Sequence, residues 1–320
     1  MRIAALDLGS GTVKLSVFER QGEGWQALCL DEKNTELRKG MGPERRLQPE
    51  PIADTLAAAK AFLAQAKALG IDKLPAYGTS AIRKAANPQD LTDALKDLGI
   101  STWVLGEEDE GRWNLLGFEA GRKGAPAPQP RLPYRALVLD PGGDSSEACG
   151  GDDWRTAPVA SLPFGSVSLQ EKYGSAADNA PIPWDKLVTV AADTRELVRH
   201  FAPAKPFLGQ HLVPAIRVNL PIQRALEQVN DLPIVAHGEG GVYSYRHLEA
   251  LTKAVAATDH AGRVEMMLGE PLGKVDRSCY GFASWLGVLQ ALDAKEFTVE
   301  PWGIKLGAAL FLNGCLQEAS

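Results

Sequence analysis

Two stretches decide how this chain reads. One is Arg2-Ile-Ala-Ala-Leu-Asp7-Leu-Gly9-Ser10-Gly11-Thr12. The other is Ala136-Leu-Val-Leu-Asp140-Pro-Gly142-Gly143-Asp144-Ser145-Ser-Glu147. Each is a short apolar run with an aspartate near its end, then a glycine turn, then a second run, at 13–20 in the first copy and 145–149 in the second. Apolar runs bounded by glycine turns read as paired strands. A single such hairpin is an ordinary structural turn. Two copies, one opening each half, read as one device used twice. The device has a chemical use: backbone N–H groups of such a turn can cradle phosphate oxygens. The aspartate can hold Mg²⁺, which keeps several waters and shares phosphate ligands.

Outward from the first copy, 25–30 reads as a third strand, and Ile52, Leu56, Ala59, Leu63 and Ala66 recur at helical spacing. Lys60 and Lys67 fall on the opposite face, Pro51 suits the first turn and Gly70 the C-terminal cap. Strands over 74–77 and 102–105 then alternate with helices over 81–86, 88–98 and 107–119. Beyond the second copy come helices over 184–201, 244–257 and 278–292, strands over 233–236 and 297–299, and a last helix from Gly303. Alternating strands and helices predict an α/β fold. Between the halves, 121–135 carries four prolines within Gly121-Arg-Lys-Gly-Ala-Pro-Ala-Pro-Gln-Pro-Arg-Leu-Pro133 and reads as a linker or surface loop. The expected domains are therefore 1–120 and 136–302.

Composition agrees and narrows the function. A length of 320 residues suits two domains. With 34 Lys and Arg against 40 Asp and Glu, the net charge is −6, which disfavours nucleic-acid polymers and anionic membranes as partners. Any anionic ligand needs a local site. No apolar run approaches the ~18 residues of a membrane span. Asp7 interrupts the N-terminal apolar run too early for a secretory leader. The four cysteines form no C-x-x-C pair, so neither a zinc knuckle nor a disulfide framework is expected. A cytoplasmic location is expected. H-E-x-x-H, G-x-S-x-G and Walker A spacings are absent. A third glycine cluster, His237-Gly238-Glu239-Gly240-Gly241, has the form of a strand-to-helix turn and could bring further N–H groups to the same site. The acidic run Glu107-Glu-Asp-Glu110 complements a helix dipole and by itself requires no other purpose.

Five segments, in this order, resemble the exopolyphosphatase/guanosine pentaphosphate phosphohydrolase (Ppx/GppA) family of the actin-like ATPase superfamily. They are Asp7-Leu-Gly-Ser-Gly-Thr12, Gly78-Thr-Ser-Ala-Ile-Arg83-Lys-Ala-Ala-Asn87, Gly106-Glu-Glu-Asp-Glu110-Gly-Arg112, Leu137-Val-Leu-Asp140-Pro-Gly-Gly-Asp-Ser-Ser-Glu147 and Ser161-Leu-Pro-Phe-Gly165-Ser-Val. The resemblance implies two ribonuclease-H-like (actin-like) domains with an interdomain cleft, the closing helix at about 303–320 packing back on the first. It implies Mg²⁺-dependent removal of terminal phosphate from inorganic polyphosphate or a guanosine polyphosphate such as pppGpp, and a possible homodimer. Glu110 would be the base for the attacking water, with Glu147 a second acid near metal and water. Asp7, Asp140 and Glu147 would hold the metal. Gly9, Ser10, Gly11, Thr12, Arg83, Gly142, Gly143, Asp144, Ser145, Gly238, Gly240 and Gly241 would bind phosphate. Arg112 would help if it faces the cleft.

The chain also departs from the family pattern. Asp144 replaces the third glycine of the second loop, and the third loop reads Gly238-Glu239-Gly240-Gly241-Val242, without a hydroxyl. Gly11 stands where an asparagine is usual, Glu36 where an arginine is expected, and Lys305-Leu306-Gly307 where R-E-G is. A carboxylate ~4 Å from phosphate at an effective dielectric near 20 costs on the order of 4 kcal/mol, roughly three orders of magnitude in affinity, unless a metal on Asp144 cancels it or the side chain turns away. Three readings follow: a phosphohydrolase of short polyphosphate or a nucleotide polyphosphate; a degenerate relative that binds such ligands with little turnover; and a kinase-like relative needing ATP and an acceptor.

Overall fold

The structure, a computed structural model, describes residues 1–123, 136–174, 180–209, 213–218, 220–229, 242–270, 272–300 and 302–315. Contacts divide the chain into two compact units, Met1–Pro126 with Trp302–Ser320, and Ala127–Pro301.

In the first unit, β1 (Arg2–Leu8), β2 (Thr12–Gln21) and β3 (Gly24–Asn34) form an antiparallel meander, because tight turns join them. β4 (Ala76–Gly78) then lies parallel to β1, reached through the crossover helix α1 (Pro49–Ala68), and β5 (Thr102–Val104) lies parallel to β4. The order is β3-β2-β1-β4-β5. β1 is central and buried along Ile3–Leu8, which is why it reads as a continuous apolar run and not as an alternation. Helices α2 (Ser80–Lys84), α3 (Gln89–Asp97) and α4 (Glu107–Arg122) complete this part. The buried stripe of α1 runs through Pro51, Thr55, Ala58, Ala59, Phe62 and Ala66. It is turned by one residue from the expected face, because the bulky Phe62 takes the centre while Ile52, Leu56 and Leu63 flank it.

The second unit repeats the plan. β6 (Ala136–Pro141), β7 (Ser146–Gly151) and β8 (Val159–Leu162) form a meander. Then come α5 (Ser166–Tyr173), α6 (Trp184–His200), a 3-10 turn (Ala202–Phe207), β9 (Ala215–Arg217) parallel to β6, and α7 (Leu220–Gln228). β10 (Val242–Ser244), α8 (Tyr245–Ala257), α9 (His260–Met266), α10 (Leu272–Ala291) and β11 (Glu296–Glu300) follow. The order β8-β7-β6-β9-β11-β10 matches the first sheet strand for strand, with β10 added antiparallel at the edge. α10 begins six residues before the expected start because Val275 extends the buried stripe of Cys279, Phe282 and Leu286. Among these helices Arg263 is fully buried. Its guanidinium donates to the Val255 carbonyl (3.2 Å), to Asp276 (2.7 Å) and to the Ala180 carbonyl (2.6 Å).

The last helix, α11 (Ile304–Leu312), belongs to the first unit and crosses α4 closely. A Cβ on Gly307 would lie 1.8 Å from the Trp113 carbonyl oxygen, and one on Gly117 would lie 1.9 Å from that of Gly303. The crossing therefore requires glycine on both helices. It is fastened by the Ile304 N–H donating to Asn114 Oδ1 at 2.7 Å and by Trp113 stacked on Phe311. Of the expected linker, Gly121 and Arg122 close α4, and 124–135 lies outside the described residues, as do the expected strand over 233–236 and the loop residues Gly238, Gly240 and Gly241.

Candidate functional site

In the first unit, Asp7, Arg83 and Glu110 come from the C-terminal ends of three neighbouring parallel strands. Asp7 lies near the end of β1, Arg83 on α2 after β4, and Glu110 in the first turn of α4 after β5. Open α/β sheets bind ligands at that edge. Arg83 Nη1 donates to Glu110 Oε2 at 3.0 Å and to the Leu105 carbonyl at 2.8 Å. The two side chains are 18% and 12% exposed, so the pair is poorly screened. Among the described residues, Arg83 Nη2 is buried without a hydrogen-bond partner, with the exposed Glu107 carboxylate 3.7 Å away. Ser80 Oγ, in the same T-S-A-x-R segment, is a second buried polar atom without a hydrogen-bond partner. Buried orphan donors are rare and mark places where an acceptor can arrive. Arg112 pairs with Glu108 (3.1 Å), one turn away on α4.

The two glycine turns share a backbone mechanism. The Ser10 carbonyl accepts from the Arg38 N–H (3.0 Å), and the Gly11 carbonyl from those of Thr35 and Glu36 (both 3.0 Å). In the second unit the Gly142 carbonyl accepts from the Ser166 N–H (3.1 Å), and the Gly143 carbonyl from those of Val167 (2.8 Å) and Ser168 (3.2 Å). A trans peptide points its C=O and N–H in opposite directions. Tying back two successive carbonyls thus aims the N–H groups of Gly11 and Thr12, and of Gly143 and Asp144, to the other side. Successive N–H groups so aligned are an anion cradle. Gly165 lets α5 approach: a Cβ there would lie 2.3 Å from the Gly143 carbonyl carbon and oxygen. That contact is the physical content of the S-L-P-x-G segment. Asp144 has no left-handed φ, so its replacement of glycine strains nothing in the backbone.

The same register carries opposite chemistry in the two hairpins. Asp7 lies directly across β1–β2 from Lys14, whose Nζ is 3.0 Å from Oδ2. Asp140 lies directly across β6–β7 from Glu147. Both acids of the second pair are buried, at 8% and 3% exposure, and Glu147 accepts from Ser161 Oγ at 3.2 Å. Phe164, Ile216, Trp285 and Val288 help to line a small cavity of about 20 Å³ beside them. Like charges directly opposite across a ladder repel, and a divalent cation between them would turn that repulsion into attraction. The pair fits Mg²⁺, which needs one or two carboxylates and takes its remaining ligands from water and phosphate. Among the described residues no group of three or more His, Cys, Asp or Glu side chains is gathered for a metal.

Sequence reasoning missed Lys14, although the equal spacing of Asp7 to Lys14 and Asp140 to Glu147 carried the signal. It quoted Ser161 within a segment without giving it a partner, and it missed the role of α5, because β8 is too short for its period to show. At the position where R-E-G was expected, Leu306 is buried and Gly307 is required by the α4–α11 crossing. Glu36 stands in left-handed backbone (φ 45°), with its side chain 3.5 Å from Lys39. No helix among the described residues is long and apolar enough to cross a membrane.

A family profile described as the Ppx/GppA phosphatase family matches residues 16–309. Exopolyphosphatase 1 of Mycobacterium tuberculosis is 29% identical over 181 residues, covering 54% of this chain and 49% of that protein. The chain therefore spans about half the length of the curated relatives it matches. The crystal structure of the Aquifex aeolicus Ppx/GppA family member superposes with a TM-score of 0.78 at 19% identity, over 99% of both chains. An exopolyphosphatase from Cytophaga hutchinsonii gives 0.78 at 19% identity, over 98% of both. The fold is thus that of these proteins, with two actin-like α/β domains.

Proposed function

Because the chain belongs to the Ppx/GppA phosphatase family, we propose that it is a Mg²⁺-dependent phosphohydrolase that removes terminal phosphate from short polyphosphate or pppGpp. The observation that carries this reading is the divided Arg83 fork, with Nη1 on Glu110 and Nη2 buried without a hydrogen-bond partner. A phosphate oxygen taking the place of the exposed Glu107 carboxylate would satisfy Nη2. The other nitrogen holds the Glu110 carboxylate in a fixed orientation, as a base for water must be held. Phosphoryl transfer asks for positioning and charge neutralisation more than covalent help. Here the N–H groups of the 9–12 and 142–145 turns would bind phosphate oxygens. Asp140 and Glu147 would hold the metal, which supplies charge neutralisation on the phosphates when bound. Asp7 is ion-paired to Lys14 and would share its carboxylate between that cation and a metal.

A second reading is favoured by Asp144, an acid whose backbone N–H belongs to the cradle. It is binding of the same ligands with little turnover. Phosphate release from defined polyphosphates and from pppGpp, with and without Mg²⁺, decides between them when Glu110→Gln is run beside the parent protein. Metal-dependent release that the variant loses, with affinity retained, supports hydrolysis. Metal-dependent binding without release supports the second reading, and release that survives Glu110→Gln refutes the role given to that residue.

A further inference from the structure

Residues 35–48 cross from the first glycine turn to the segment that follows Arg83, and are tied at both ends. At one end are the three bonds from the Thr35, Glu36 and Arg38 N–H groups to the Gly11 and Ser10 carbonyls. At the other, Asn87 is buried and its carboxamide grips the Leu47 backbone twice. Oδ1 accepts from the Leu47 N–H at 2.7 Å and Nδ2 donates to the Leu47 carbonyl at 3.1 Å. Nδ2 also donates to Asp90 at 2.7 Å, which fixes the amide's orientation. The neighbouring Ala86 N–H donates to the Arg45 carbonyl at 2.8 Å. Between its ends the stretch has left-handed backbone at Glu36, Gly40, Gly42 and Arg45, and it buries Leu37 and Leu47 in the core.

The structure assigns Asn87 the role of a positioning residue: it fastens the 35–48 strap, and the strap sets the 9–12 turn in register with Arg83. The pairing imitates a strand ladder. A side-chain amide supplies the donor and acceptor that a backbone would, so the strap is held where no strand adjoins it. Asn87 touches neither turn nor arginine, yet the same tether that turns the Ser10 and Gly11 carbonyls back ends on it. Loss of this end would leave the N–H groups of Gly11 and Thr12 with less fixed aim, and Arg83 would lose the brace four residues downstream. The inference rests on the reading of the 9–12 turn and Arg83 as phosphate-binding groups.

The test compares Asn87→Ala with Asn313→Ala. The latter removes a bond of similar kind (Asn313 Nδ2 to the Ala4 carbonyl, 2.9 Å) elsewhere in the same unit. Both variants lower the melting temperature. Asn87→Ala alone is expected to speed amide exchange at Thr35, Glu36, Arg38 and Leu47. It is also expected to weaken binding of Mg²⁺-tripolyphosphate about tenfold, as when a supporting partner of a binding group is removed. If Asn87→Ala is too unstable, Asp90→Ala removes the acceptor that fixes the Asn87 amide and should give the same pattern at smaller size. Exchange at Thr35, Glu36 and Arg38 as slow as in Asn313→Ala overturns the role, whatever the melting temperature. Should the parent protein not bind tripolyphosphate, the phosphate reading fails, and the exchange rates still judge the strap by themselves.

Discussion

Removing Arg83 tests whether the Arg83–Glu110 contact is the working centre of the first unit or a surface pair that happens to be close. At 3.0 Å and an effective dielectric near 20, two unit charges attract by about 5.5 kcal/mol. Desolvation offsets a large part of this, and breaking a buried pair by removing one partner costs about 3–5 kcal/mol. The slight exposure of both groups puts Arg83→Met at the lower end, about 3 kcal/mol, including about 1 for the lost bond to the Leu105 carbonyl. Glu110→Gln keeps an acceptor and should cost about 1–2 kcal/mol. In the double variant the charge is no longer stranded, so a cycle should give about 2 kcal/mol of coupling. Amide exchange at Leu6 and Leu15 reads the stability of the first unit without assuming that the two units unfold together. Effects that add to within about 0.5 kcal/mol would refute the coupling, and the charge-pair account of Glu110 with it.

Three further outcomes are expected. Lys14→Met should lower the stability of the first unit by about 1–3 kcal/mol, because Asp7 keeps its buried place without that cation. Adding Asp7→Asn should recover most of the loss in the same exchange assay. Gly165→Ala forces a methyl into the Gly143 peptide, so tripolyphosphate binding should fall by at least an order of magnitude in calorimetry, at a stability cost of about 1–3 kcal/mol. Burial pushes the Cys279 thiol up from 9.0 to about 12. It should stay unlabelled by a disulfide reagent at pH 8 while the chain is folded. Because the folded value is the higher one, the stability it contributes is fully present below pH 9 and is lost as the pH rises from 9 towards 12. Denaturant titrations across that range check the sign.

How much of this was legible in the sequence depended on the range of the forces involved. The glycine hairpins, the α/β alternation and the strand-end acids Asp7 and Asp140 were readable because each is a local pattern with local causes, whereas Glu110 and Glu147 were singled out only by the family resemblance. The partners of those acids were not. That Lys14 faces Asp7 follows only from ladder register, and that Arg83 reaches Glu110 follows from β4 and β5 lying side by side. Asn87 stood inside a recognisable motif, but its bonds reach forty residues back to Leu47, a distance no periodicity spans. Helix α1 was found and its face misjudged by one residue, since an apolar count weighs Leu63 like Phe62 and packing does not.

The glycine crossing of α4 and α11 has a consequence for how the molecule is made. The first unit is closed by Trp302–Ser320, so Ala127–Pro301 must be synthesised in full before its final helix exists. At ~5–20 residues per second that takes roughly 10–35 s. During this interval the N-terminal sheet has emerged while the face of α4 that receives α11, with Gly117 and Trp113 at its centre, has no cover. The nascent chain thus carries an apolar surface open to chaperones for as long as the ribosome needs to finish the insert, and maturation of the N-terminal unit is timed by the C-terminus.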